Sequence, residues 1–101
     1  MASPCVRLTL TERQAIREAS VRRFGVPPRL FGSRVDDTRR GGDIDLYIET
    51  TLSPEDAFQR ETQMAADLYR ALGERKIDIV VNTGLRDLPI YRIARAQGVW
   101  L

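Results

Sequence analysis

The sequence lacks histidine entirely and contains a single cysteine, Cys5. The absence of histidine excludes Ser-His-Asp triads, Cys-His pairs and His-ligated zinc. A lone cysteine cannot form a disulfide within the chain. Any metal ion that the protein binds must therefore be held mainly by carboxylates.

Long apolar runs are also missing, and no segment resembles a signal peptide or a membrane span. Neither sign of charge dominates, because the chain has 16 basic and 14 acidic residues and a net charge of +2. So balanced a charge does not indicate a nucleic-acid coat. We expect a cytoplasmic protein that neither enters a membrane nor binds DNA directly.

The length of 101 residues predicts one domain, spanning residues 1–101, with a single modest core. Its composition, 43% hydrophobic and 30% charged, is that of a folded globular protein. A chain this short has no room for a second ligand-binding domain, so a large substrate pocket would need a partner chain.

The first predicted helix has Thr11 as its N-cap, with Gln14 three residues on, and it stops at Gly25. The second predicted helix has Ser53 as its N-cap, followed by Pro54. It closes at Gly73. The residues expected on the buried faces of these two helices are Ile16, Ala19, Phe24, Phe58, Met64, Ala65, Leu68 and Leu72.

A short third helix is predicted to start at Asp87 and Pro89 and to run to about Gln97. Gly98 ends it, before an apolar tail at 99–101. Trp100 in this tail is expected either to pack back onto the sheet of its own chain or to cover a neighbouring subunit.

Three strands are predicted. The first ends at Phe31, the second covers residues 43–49, and the third covers residues 76–81. The second alternates strictly, with Ile44, Leu46 and Ile48 on one face. The expected fold class is α/β (α+β), a small mixed β-sheet of three or more strands flanked by helices.

Asp43 and Asp45 lie two residues apart on the second strand, so their side chains share one face. Two neighbouring carboxylates repel each other, and a divalent cation such as Mg²⁺ removes that conflict. Asp78 on the third strand could complete a two-metal site of the kind that supports phosphoryl displacement. Glu49 shares the face and is a second-rank ligand.

Gly32 and Ser33 follow the first strand directly. A turn of this kind presents backbone N–H groups to a phosphate, and the serine hydroxyl adds a donor. Nearby arginines would add positive charge around a triphosphate. These are Arg34, Arg39 and Arg40.

Each feature alone has a simpler interpretation. The Asp-Ile-Asp segment can be the solvated face of an exposed strand, and Gly-Ser can be an ordinary turn. Asp78 can be a solvated residue or the partner of an arginine. The arginines can form a charged surface.

The order and spacing of "LFGSR", "GGDIDLYIE" and "KIDIVV" resemble those of the polymerase β-like nucleotidyltransferases, and especially the minimal nucleotidyltransferases often encoded beside HEPN-type proteins. The final "YRIARAQGVWL" is similar as well. The resemblance covers nearly the whole chain from the first helix and implies the nucleotidyltransferase fold.

The resemblance implies that Gly32 and Ser33 hold the β- and γ-phosphates of ATP or another nucleoside triphosphate. It implies that Asp43, Asp45 and Asp78 form the metal-binding, catalytic set, with two Mg²⁺ ions or Mn²⁺ in their place. Asp78 would help deprotonate the attacking hydroxyl. The roles of the arginines, Arg34 and Arg40 among them, come from our reasoning on charge.

The resemblance also implies a partner. In HEPN pairs the nucleotidyltransferase is the antitoxin of an RNase toxin, and it acts by transferring AMP to the toxin or by binding it. We therefore expect a protein adenylyltransferase that modifies a tyrosine hydroxyl. The alternatives are a non-catalytic antitoxin that only binds, nucleotidyl transfer to a small molecule or RNA, and a homo-oligomer as the assembly.

Overall fold

Three helices and a four-stranded mixed sheet form the protein in a computed structural model that describes residues 8–31 and 44–101. The predicted fold class, a small mixed sheet flanked by helices, is confirmed. In chain order the elements are α1 (Leu10–Phe24), β1 (Arg29–Phe31), β2 (Ile44–Glu49), α2 (Pro54–Leu72), β3 (Ile77–Asn82), α3 (Pro89–Gln97) and β4 (Val99–Trp100).

The strands lie in the order β3-β2-β1-β4. Strands β2 and β3 are parallel, and α2 connects them, as a parallel pair requires a crossover of this length. Strand β1 runs antiparallel to both β2 and β4. The two described edges of the sheet are therefore β3 and the two-residue β4.

Both faces of the sheet are covered by helices, a different set on each, although the ends of the face that carries α3 stay accessible. One face carries the predicted stripe of β2 and packs against α1 and α2. The buried residues of that core are Ile16, Ala19, Leu30, Ile44, Leu46, Ile48, Met64, Leu68 and Leu101. The other face packs against α3 through a smaller cluster of Phe31, Tyr47 and Ala94, with Val80 and Tyr91 beside them.

Helix α1 begins two residues earlier than the sequence pattern predicts. The N-cap is Thr9, whose hydroxyl accepts from the Glu12 backbone N–H while the Glu12 carboxylate accepts from the Thr9 N–H. The prediction of Thr11 as the cap was wrong, because Gln14 donates to Glu18 instead of closing a box. A charged glutamate makes the stronger reciprocal bond.

The ends of α2 are as predicted, with Ser53 as N-cap, Pro54 in the first turn and Gly73 after the last. Its buried face is partly different. Phe58 is 69% exposed, and Ala65 is exposed as well, so these two predictions were wrong. The buried residues of α2 are Ala57, Met64 and Leu68, of which Met64 and Leu68 were predicted.

Helix α3 has the predicted bounds, but Asp87 does not cap it. Leu88 occupies the N-cap position without a side-chain bond, and Asp87 pairs with Arg92. After α3 the tail returns to the sheet as β4, beside β1, which confirms the first of the two expectations for this segment. Trp100 is nevertheless 54% exposed.

Within residues 8–31 and 44–101, no helix combines the length and apolar character that crossing a membrane requires.

Candidate functional site

Asp45 and Asp78 lie directly opposite each other on two neighbouring strands. The parallel register of β2 and β3 pairs Asp45 with Asp78 and, one residue earlier, Ile44 with Ile77. Neighbouring strands are about 4.8 Å apart, and paired residues point to the same face. The sheet therefore brings the two predicted carboxylates together on the face opposite the larger core.

The pair sits at one end of the sheet. Asp45 and Asp78 are each the second residue of a strand, and Asp45 also pairs with Phe31, the last residue of β1. Phe31 and Ile44, which flank segment 32–43, thus both lie at this end.

The remaining predicted site residues fall outside the part of the chain that the structure describes. These are Gly32, Ser33, Arg34, Arg39, Arg40 and Asp43. Their assignments stay predictions.

The side chain of Asp45 is partly exposed and that of Asp78 is exposed, so ions in solution can reach both. Like charges directly opposite each other on a sheet repel, and a cation between them reverses that effect. Carboxylate oxygens are the ligands that Mg²⁺ prefers. The donor set therefore fits a divalent cation.

The described residues do not form a complete metal site. In segments 8–31 and 44–101, no three histidine, cysteine, aspartate or glutamate side chains are arranged so that they could hold a metal ion. Two carboxylates can supply only part of the six oxygen ligands that Mg²⁺ takes. Asp43, phosphate oxygens or water would have to provide the others.

Glu49 is not part of this pair, although it shares the face of Asp45. It lies four residues further along β2, roughly 13 Å away. Its carboxylate accepts a hydrogen bond of 2.7 Å from the Tyr47 hydroxyl and lies 3.5 Å from Arg95 Nη1. Glu49 therefore lies apart from the pair of Asp45 and Asp78, and its role as a second-rank ligand stays a prediction.

Tyr47 separates Asp45 from Glu49 and is buried beneath α3. Asn82 Nδ2 donates to the Tyr47 hydroxyl at 3.0 Å. Burial raises the pKa of Tyr47, since the phenolate would lose its hydration. Alternation along β2 predicts that Tyr47 lies on the same face as the two acids. That α3 covers this residue depends on contacts between segments far apart in the sequence, which alternation does not show.

A large cavity lies elsewhere in the described part of the chain. Its volume is about 400 Å³, and it opens where β3 ends and α2 and α3 begin. Phe58, Val81, Leu85 and Leu88 line it, and burial there raises the pKa of Glu61. Val81 is the nearest wall residue on β3, three residues or about 10 Å along the strand from Asp78. No pattern in the sequence predicted this cavity.

Neither a family model, nor a curated protein, nor a solved structure matches this chain. What supports a functional assignment is therefore the paired aspartates and the motif resemblance in the sequence.

Proposed function

We propose that this protein is a metal-dependent nucleotidyltransferase that transfers AMP from ATP to a tyrosine hydroxyl of a HEPN-type toxin and thereby acts as its antitoxin. The observation that supports this proposal best is the register of β2 and β3, which sets Asp45 opposite Asp78 at an accessible end of the sheet. If the aspartates were only solvated strand residues, nothing would require Asp45 and Asp78 to lie opposite each other on neighbouring strands.

In this reaction the acceptor oxygen attacks the α-phosphorus, the bond to the bridging oxygen breaks, and pyrophosphate leaves. The hydroxyl proton passes to a carboxylate, for which we propose Asp78. Asp45, with the predicted Asp43, would bind the cation. Bound Mg²⁺, or Mn²⁺ in its place, would supply the positive charge that offsets the triphosphate and the carboxylates.

The position of Phe31 supports the phosphate-binding role that we propose for the two residues after it. Phe31 pairs with Asp45, so β1 ends beside the carboxylate pair. A segment that starts at this point can hold the β- and γ-phosphates while the α-phosphate faces the aspartates. Gly32 and Ser33 would do so with backbone N–H groups and a hydroxyl, and Arg34 and Arg40 would add charge.

A second candidate is an antitoxin that silences its partner by contact alone. Exposed apolar side chains around the large cavity favour it, since Phe58 is 69% and Leu85 is 72% exposed. Such side chains are typical of interaction surfaces. Transfer to a small molecule or to RNA is the third alternative, which the choice of acceptor tests.

Transfer of label from the α-phosphate tests the proposal. The purified protein is incubated with Mg²⁺, each labelled nucleoside triphosphate in turn, and the protein that co-purifies with it, or RNA. We expect label on the partner protein from ATP. In Asp45→Asn and in Asp78→Asn we expect a loss of about 100-fold or more, because each removes a carboxylate from the reacting centre.

Glu55→Gln is the matched control, because it removes an exposed carboxylate from the first turn of α2, at the other end of β2. It should leave transfer unchanged. Full transfer by either aspartate variant would contradict the proposal. If the wild type transfers nothing, and both variants still silence the partner, the contact-only candidate is correct.

A further inference from the structure

In the described part of the chain, no carboxylate forms an ion pair with the guanidinium of Arg29, which is half-buried. Its Nη1 atom is buried and has no hydrogen-bond acceptor among residues 8–31 and 44–101. Its carbon Cζ lies 4.2 Å from the ring centroid of Trp100 and 5.8 Å from that of Tyr47. Aromatic rings attract a cation but do not accept its N–H bonds in the way an oxygen does.

A small cavity of about 100 Å³ lies at this guanidinium, on the side of the sheet that carries α3. Its wall is made of Val26, Pro27, Arg29, Tyr47, Glu49 and Trp100. The wall is largely apolar, so the few polar groups in it decide what it accepts. A volume of this size holds only a few heavy atoms, since a cavity of about 150 Å³ accommodates a benzene ring.

Glu49, the acid among the described wall residues, is already bound by other groups. The Glu49 carboxylate accepts from the Tyr47 hydroxyl at 2.7 Å and pairs with Arg95 at 3.5 Å. Arg29 in the wall and Arg95 beside Glu49 carry two positive charges against this carboxylate, so these three residues have a net charge of about +1. The Nη1 atom of Arg29 is itself buried, so a second carboxylate would bind to the part of this guanidinium that forms the cavity wall.

We propose that this cavity binds a small free carboxylic acid, with its carboxylate on Arg29 and its short apolar part against Trp100. A planar carboxylate matches the edge of a guanidinium, and the apolar wall accommodates one or two carbon atoms. The doubly charged phosphate ion suits the cavity less well, because Glu49 repels it more strongly and the wall offers it few donors. This site is independent of the aspartate pair and of nucleotidyl transfer.

The fluorescence of Trp100 tests the proposal directly, because Trp100 is the only tryptophan of the chain and lines the cavity. The protein is titrated with acetate and propionate, and separately with phosphate and with chloride at matched ionic strength. We expect a saturable change with acetate and propionate at about millimolar concentration, as befits ligands of so few atoms. We expect none with chloride and a weaker one with phosphate.

Two variants assign the effect to the cavity. Arg29→Met keeps an unbranched apolar stem but removes the guanidinium donors, and it should abolish saturation. Glu49→Gln removes the nearby negative charge and keeps an oxygen for the Tyr47 hydroxyl, and it should tighten carboxylate binding by roughly threefold or more.

Several outcomes would overturn the proposal. These are no saturable change in the wild type, tighter binding of phosphate than of acetate, or undiminished binding by a folded Arg29→Met. If Arg29→Met does not fold, Glu49→Gln decides, because unchanged or weaker binding of acetate by that variant contradicts the proposed site.

Discussion

At the scale of single residues, Asp67 links the two helices that cover the larger core. It lies on α2, and its side chain is 9% exposed. Arg23 of α1 binds it through two hydrogen bonds, of 2.7 and 3.0 Å, and Arg22 and Arg70 add further contacts. The bonds from Arg23, more than any other group, lower the pKa of Asp67 to about 2.

Because this pKa lies below the ordinary value of 3.8, the charged form stabilises the folded state. That stabilisation is fully present above about pH 4 and is lost as the pH falls toward 2. We predict that Asp67→Asn lowers the free energy of unfolding at pH 7 by about 1–2 kcal/mol, discounted because Arg22 and Arg70 are exposed.

Urea unfolding at pH 7 and between pH 4 and 2 measures this effect. The variant should lose stability less steeply than the wild type as the pH falls. Glu74→Gln, which changes an exposed carboxylate, is the control and should stay within about 0.5 kcal/mol of the wild type. An Asp67→Asn variant as stable as the wild type would show that the arginines contribute nothing through this residue.

At the scale of helices and strands, glycine and proline predicted the ends of helices correctly wherever the sequence offered a single residue for that role. Gly25, Gly73 and Gly98 end their helices as predicted, and Pro54 begins one. The start of α1 could not be chosen in the same way, because "TLTE" offers two threonines, each with an acid or amide three residues later.

Replacing each threonine in turn by alanine shows which of the two is the N-cap of α1. Thr9→Ala removes the hydroxyl that accepts from the Glu12 N–H, so we predict a loss of about 1 kcal/mol in the free energy of unfolding. Thr11→Ala lies inside the helix and should be neutral or slightly stabilising, since alanine favours helix. Chemical denaturation measures both, and a larger loss for Thr11→Ala would contradict the observed cap.

Strand β4 and the buried face of α2 are the elements that local patterns described least well. Two residues form β4 because they pair with β1, which is some 70 positions away in the sequence. Likewise, the exposure of Phe58 depends on the angle at which α2 meets the sheet. Both are properties of distant contacts, and periodicity within one segment does not contain them.

At the scale of the whole molecule, the sheet separates two chemically different ends. Asp45 and Asp78 lie at one end of the face that carries α3, and the apolar cavity with Glu61 lies beyond the other end of β3. Between them α3 covers Tyr47. In the proposed function, the nucleotide and the acceptor tyrosine of the partner reach the first end, and the second end remains free for other contacts with that partner.

The face on which the aspartates lie was predictable, because alternation along each strand assigns it. Their alignment was not. Whether Asp78 meets Asp45 or a residue two positions away depends on how the 19-residue α2 and its two connections return the chain to the sheet. The sequence contains both aspartates, but only the packed fold sets the register that pairs them.

Paramagnetic Mn²⁺ provides the most direct test of the central claim, that Asp45 and Asp78 together bind a divalent cation. Amide signals are recorded by NMR with substoichiometric Mn²⁺. We expect broadening confined to residues 44–46 and 77–79 and their neighbours, competition by excess Mg²⁺, loss in Asp78→Asn and no change in Glu55→Gln. Broadening centred elsewhere, or unchanged in Asp78→Asn, would contradict the claim.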